Sequence, residues 1–217
     1  MVDQGKALSG SFVWARLGSF LSIFPLGVWT VNHLWKNLAA FRGADAWERS
    51  VTEYAHPVAE VTTLIVVLVP LLIHTLWGIQ RLFSFRPDNL AYSYFENLKY
   101  TLQRLAAIGV LLFLGAHLWL AMLHPRLVQG HPEPFSDIAY EMRFHTPTLV
   151  VYLLGTLAVC YHLANGIIGF VWTWGIASGR PSFGRINALA LIVFVVLMCF
   201  SWGAIYALWS AGARYSR

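Results

Sequence analysis

Five stretches of the chain run for about 20 residues or more without an Asp, Glu, Lys or Arg. They lie between Arg16 and Lys36, Glu60 and Arg81, Arg104 and Arg126, Arg143 and Arg180, and Arg185 and Arg214. A helix needs about 20 apolar residues to cross a hydrocarbon layer about 30 Å thick. One charged side chain at mid-span costs about 2.5–3.5 kcal/mol, so uninterrupted gaps of this length predict membrane spans. The expected helices lie near residues 15–38, 59–81, 102–123, 148–175 and 187–210. The fold class is therefore all-α integral membrane, a single membrane domain over residues 1–217 with four helices in a bundle and the fifth packed outside.

The connections carry weaker patterns. Trp47, Val51 and Tyr54 recur at helical spacing and predict a short helix lying at the interface. Ser93 followed three residues later by Glu96 has the form of a capping box leading into the third span. Glycines and a proline between Gly179 and Gly184 predict a tight turn. The N-terminal residues show no short apolar core followed by a small-residue cleavage site, so the first apolar segment is read as a retained helix.

Composition agrees with the pattern. Of 217 residues 58% are hydrophobic and 12% charged, against about 25% charged in an ordinary soluble domain. Ten Trp and nine Tyr suit a chain with two bilayer interfaces. The net charge of +5 is scattered over the connections, which points to membrane-flanking residues and to the lipid bilayer, not nucleic acid, as the surface met. Basic residues divide nearly evenly between the two sides, and most acids fall in the connections after spans one and three. The expected orientation places the N-terminus in the cytoplasm and the C-terminus outside, in the inner (cytoplasmic) membrane of a cell. Cys160 and Cys199 sit in apolar runs without a CxxC or CxxCH neighbour. This excludes a zinc site, an iron–sulfur cluster and a covalently attached haem.

Four of the eight histidines fall inside the spans, one in each of the first four: His33, His74, His117 and His162. Ionisable residues at membrane depth are rare and face the bundle interior with a functional partner. At 1.5 Å per residue, His33 lies roughly 5 Å below Lys36, and His117 lies roughly 10 Å below His124, both toward the outer face. His74 lies roughly 10 Å above Arg81, and His162 roughly 21 Å in from Thr148, both toward the inner half. Helices one and three, and two and four, are diagonal in an up-down bundle, so the pairs His33–His117 and His74–His162 face each other across its core. A flat macrocycle with one imidazole on each face suits that geometry. Gly78 and Gly166, four residues after His74 and His162, leave room on the same helical faces, and Pro70 is expected to bend helix two. The expectation is two haem b groups with four histidine ligands, His33, His74, His117 and His162. A clustered metal centre needs closer ligands, usually with carboxylates. Another quinone-linked di-haem cytochrome, of hydrogenase or formate dehydrogenase type, and a haem-free transporter are the rival readings.

At these residues the chain resembles the five-helix, two-haem cytochrome b subunit of succinate dehydrogenases and fumarate reductases. The resemblance covers nearly the whole chain. It is carried by Val31-Asn-His33, Pro70-Leu-Leu-Ile-His74, the stretch from Tyr92 through Arg104, and the stretch from His162-Leu-Ala-Asn-Gly166 to Ile176. It implies that His33 and His117 hold the distal haem and His74 and His162 the proximal one. It also implies a complex with a flavoprotein and an iron–sulfur subunit, and electron transfer between that subunit and a membrane quinone, menaquinone being expected. The chain has no dinucleotide fingerprint and no cysteine cluster, so no catalytic dicarboxylate site lies within it. Some fumarate reductases of the family carry a glutamate two residues before the proximal ligand of helix four; here that position is Cys160, which argues against a proton path of that kind. Glu60, at the mouth of helix two beside the distal pair, is the candidate quinone-site acid. Arg104 and Gln103 are the candidate contacts for proximal propionates, a guanidinium pairing well with carboxylates.

Overall fold

The computed structural model describes residues 3–52, 57–84, 86, 94–177 and 179–216, with side chains throughout that range except at residues 3–11, 57, 59, 60, 62, 63, 180 and 181. The elements are helices α1 (Asp3–Ile23), α2 (Leu26–Asn37), α3 (Ala44–Val51), α4 (Pro57–Phe83), α5 (Phe95–Leu118), α6 (Phe135–Phe144), α7 (Thr146–Thr173) and α8 (Arg180–Gly212). Among the described residues there is no strand. Five segments are long and apolar enough to cross a membrane, α1 and α2 together forming the first.

Span one is not the continuous helix its apolar pattern predicts. Phe24 still donates its amide to Phe20, and the ladder restarts with Trp29 bonding back to Pro25. The physical cause is Pro25, which brings no amide proton and crowds the carbonyl four residues earlier. Pro70, by contrast, sits inside an unbroken α4. The segment Gly179–Gly184 is also not a free turn. Gly179, at φ +86°, caps α8, and Pro181 falls in the first helical turn, where its missing N–H has no intrahelical partner to lose. Helix α5 starts at Phe95 behind Tyr94; Ser93, the expected capping residue, lies outside the described residues, as does Tyr54. Beyond Leu118 the third span continues as two π-helical turns, Trp119–Leu123 and Pro125–Gln129.

The spans pack in the order one, two, three, four around a ring. α1 lies against α4 and α7, α7 against α5, and α4 more loosely against α5. Spans one and three, and two and four, are therefore diagonal, as the histidine depths require. α8 packs outside this ring on α7 and α2. Close helix approach is set by small residues, the usual device where lipid removes any hydrophobic drive between helices. A Cβ at Gly155 of α7 would enter the Phe113 ring of α5, and one at Gly18 of α1 would enter the Trp77 ring of α4. Large apolar side chains such as Leu112 and Leu191 point outward, where acyl chains solvate them.

One end of the bundle carries a roof that the sequence pattern did not announce. Helix α6 presents Phe135, Ile138, Ala139 and Met142, at helical spacing, to α8, α7 and α3. Ala139 and Met142 are 0% exposed. Helix α3 adds Trp47, whose ring meets Phe135 edge-on at 5.7 Å. The short helix expected around Trp47 is thus present, with Trp47 buried in this roof. Each such large side chain contributes about 1.5–3 kcal/mol on burial, so the roof has a core of its own. Below, this is the roofed end; the other is the open end.

Candidate functional site

The four intramembrane histidines meet as two pairs. The rings of His33 (α2) and His117 (α5) have centroids 5.9 Å apart at 68°, and those of His74 (α4) and His162 (α7) lie 6.2 Å apart at 71°. A bond of about 2 Å on each side of one metal ion, plus about 1.1 Å from each bound nitrogen to its ring centre, puts opposed imidazoles about 6 Å apart. Both pairs fit that spacing. Among the described residues no group of three or more His, Cys, Asp or Glu side chains gathers to hold a bare ion. Two opposed imidazoles per site suit a metal whose remaining ligands come from a macrocycle.

Each histidine is oriented by a second contact. The Nδ1 of His74 lies 3.1 Å from the carbonyl oxygen of Gly18. A carbonyl only accepts, so Nδ1 carries the proton and Nε2 keeps its lone pair for a metal. The Nδ1 of His117 lies 3.2 Å from the Tyr152 hydroxyl, which offers the same service to that ring. Gln103 grips His162 twice, its amide nitrogen 3.2 Å from Nδ1 and donating to the His162 carbonyl at 3.1 Å, while its oxygen accepts from Asn165 at 3.0 Å. His33 stacks on Trp29, four residues earlier, at 4.6 Å and 9°, and Asn37 donates to its carbonyl at 2.8 Å. His117 stacks on Phe113, also four residues earlier. Sequence reasoning missed these partners. The i, i+4 aromatics were visible as spacings, but the carbonyl of Gly18 and the hydroxyl of Tyr152 come from other helices.

Space accompanies both pairs. A cavity of about 620 Å³ surrounds His74 and His162, and a narrower one of about 190 Å³ surrounds His33 and His117. Gly78, Gly166 and Gly169 line the larger cavity, and a Cβ at any of them would find no atom within 4 Å. These glycines bound empty room, unlike Gly155 and Gly18, which serve helix contact.

The larger cavity is cationic toward the open end, where Arg81, Lys99 and Arg104 line it. The guanidinium of Arg104 lies over the Tyr100 ring at 5.1 Å, and its buried Nε has no hydrogen-bond partner among the described residues. A buried donor left unpaired costs about 1–3 kcal/mol, so this atom is set for an acceptor entering the cavity. Gln103 lines the same cavity, but its amide is occupied by His162 and Asn165. Lys99 donates to Asn187 at 2.7 Å and pairs with Glu96 at 3.0 Å. Glu60 falls in the first turns of α4, and its side chain lies outside the described set. Cys160 is buried with its sulfur 3.6 Å from the Ser201 hydroxyl.

No protein-family model matches the chain. Among curated proteins, the succinate dehydrogenase cytochrome b558 subunit of Bacillus subtilis (strain 168) is 30% identical over 202 residues, which cover 90% of this chain and 96% of that subunit.

Proposed function

The chain belongs to the cytochrome b subunits of succinate dehydrogenase, and from that premise we propose that it holds two b haems and passes electrons between an iron–sulfur subunit and a membrane quinone. The observation that carries this reading is the pair of imidazole pairs, 5.9 and 6.2 Å apart, on diagonal helices. Membership alone makes it a transmembrane cytochrome b within an enzyme complex; the finer reading is supported by the residues that follow. His33 and His117 would hold the haem of the distal site, and His74 and His162 that of the proximal site. Bound haem iron supplies one-electron transfer between its two oxidation states.

The chain's own groups hold, orient and screen. The Gly18 carbonyl fixes the ring plane of His74 and the Tyr152 hydroxyl that of His117, while Gln103 holds His162 by donating to its backbone carbonyl. Arg104, with Arg81 on the same wall, would offer its unpartnered buried donor to a haem carboxylate. Gln103 acts at the edge of that site by holding His162. Glu60 is the acid of the quinone site near the distal pair, exchanging protons as the quinone, menaquinone in this reading, is reduced or its quinol oxidised. The flavoprotein and iron–sulfur partners dock at the open end, where the larger cavity and its cations lie. That end faces the cytoplasm, the N-terminus with it, in a cytoplasmic membrane, and residues 1–217 act as one membrane domain.

The test is a reduced-minus-oxidised spectrum with a pyridine haemochrome assay on the purified chain. Two b haems per chain are expected, with spectral loss when His33, His74, His117 or His162 is replaced. Absence of haem in protein made with ample haem supply overturns the reading. Normal haem content in Arg104→Ala would remove its propionate role, and unchanged quinone turnover in Glu60→Gln would remove Glu60 from the quinone site.

A further inference from the structure

At the roofed end the distal cavity is lined by a carboxylate with no part in holding either ring. Glu133 sits in the connection leading into α6, only 8% exposed, and its side chain lines the cavity along with His33, His117 and Arg126. Its neighbour His131 is exposed, so water lies one step away along the chain. Among the described residues, the titratable and charged groups around Glu133 come from five directions. Asp137 and Glu141 stand on α6, and His131 on its own connection. Tyr152 faces it from α7, and Arg126 shares the cavity wall. Glu48 reaches across from α3, where one of its carboxylate oxygens accepts the Phe135 amide at 2.8 Å.

Taking a carboxylate out of water is unfavourable unless a cation or hydrogen bonds offset the loss. Here burial, and after it the negative charges of Asp137 and Glu141, push the Glu133 carboxyl up to about 7, with His131 pulling the other way. The group is thus poised near neutrality, on the wall of a cavity whose two histidines are the proposed iron ligands. An electron arriving in that cavity adds negative charge in a poorly screened place. The response open to a half-protonated carboxyl is to complete its protonation.

We propose that Glu133 binds one proton from the water at the roofed end when the distal site gains one electron, and releases it when the electron leaves. The balance is one electron and one proton in, an O–H bond formed on the carboxylate, and no change in net charge; the reverse step breaks that bond. The electron comes from a quinol or from the iron–sulfur partner, the donors of the proposed function, and the inference rests on that two-haem reading.

The experiment is a spectroelectrochemical titration of the haem-loaded complex at a series of pH values, for the native chain and for Glu133→Gln. One of the two midpoint potentials should fall as pH rises past about 7, with a limiting slope of one tenfold step per pH unit, about 59 mV for one electron. In Glu133→Gln that midpoint should become flat while the other keeps its native behaviour, and Glu133→Asp should restore the slope. An unchanged slope in Glu133→Gln overturns the proposal. Should that variant fail to assemble, infrared difference spectra of the native complex decide. A protonated-carboxyl band that appears on reduction and shifts in heavy water supports the coupling, and its absence overturns it. Failure of the two-haem reading is visible separately, as a haemochrome assay without two haems per chain.

Discussion

Replacing Gly166 by leucine separates room left for a ring from room left by loose packing. Gly166 lies on α7 four residues after His162, on the wall of the 620 Å³ cavity, and a Cβ there meets nothing within 4 Å. In the unliganded chain the change is favourable locally, since a helix gains about 0.8–1 kcal/mol when glycine gives way to a good helix former. A ring held between His74 and His162 would share its space with the new side chain. Relieving that overlap costs about 1–3 kcal/mol, and at 1.4 kcal/mol per tenfold step this weakens binding by about five- to more than a hundredfold. The assay is haem per chain after dialysis against an excess of a haem-binding competitor such as apomyoglobin, read as pyridine haemochrome beside a measurement of folded yield. One site should empty while the other and the folded yield are kept. Two haems retained, with native spectra and native loss to the competitor, would refute the claim that these glycines bound a cofactor.

Gly155→Ala should behave in the opposite way. Its methyl would enter the Phe113 ring, so the folded chain should lose about 1–3 kcal/mol and thermal unfolding in detergent should come earlier, whether or not haem is present. Met142→Ala empties a site that is 0% exposed in the roof and should cost about 2–5 kcal/mol; limited proteolysis near α6 should then accelerate, and an unchanged digestion rate would argue against the roof having a packed core. Glu133 carries the stability test of its own burial. Its folded pKa of about 7 lies above the ordinary 4.5, so its contribution is complete below pH 4.5 and is lost as pH climbs through 7. At about 1.4 kcal/mol per unit the limit is about 3 kcal/mol, reduced to about 1–2 by partial solvent screening. Glu133→Gln should remove that part of the decline between about pH 4.5 and 7, measured as the difference in unfolding temperature between the two proteins.

The histidine pairing was legible because two simple quantities decide it. Charge-free intervals fix where each span begins and ends, and a rise of 1.5 Å per residue turns sequence position into depth. Depth plus diagonal placement then matched His33 with His117 and His74 with His162 without any knowledge of side-chain packing. Other features depend on contacts that no interval encodes. Pro25 reads as one proline in an apolar run, and only the ladder around it shows that α1 ends and α2 begins there. The residues of α6 carry a helical stripe, Phe135, Ile138, Ala139 and Met142, but its partners α8, α7 and α3 are set by contacts between elements apart in the chain. Gly179 and Pro181 signal a turn and a helix start equally well, and the +86° backbone of Gly179 decides for the helix. Glu133 offers no sequence signal, because its character comes from burial beside α6. The expected role of Gln103 was close in place but different in kind, its amide being turned onto His162.

The roof also bears on how the molecule comes to be made. Helix α6 precedes α7 and α8 in the chain but rests on α8, where a Cβ at Gly212 would collide with the backbone of Ala139 and the side chain of Arg143, and Arg143 lies 3.8 Å over the Trp209 ring. In chain order, α3 is therefore the part of the seat of α6 that precedes it, while the contacts from α7 and α8 come later. The cavity at His33 and His117 takes one of its walls, Leu208, from α8, so its lining draws on residues spread from Trp29 to Leu208 along the chain.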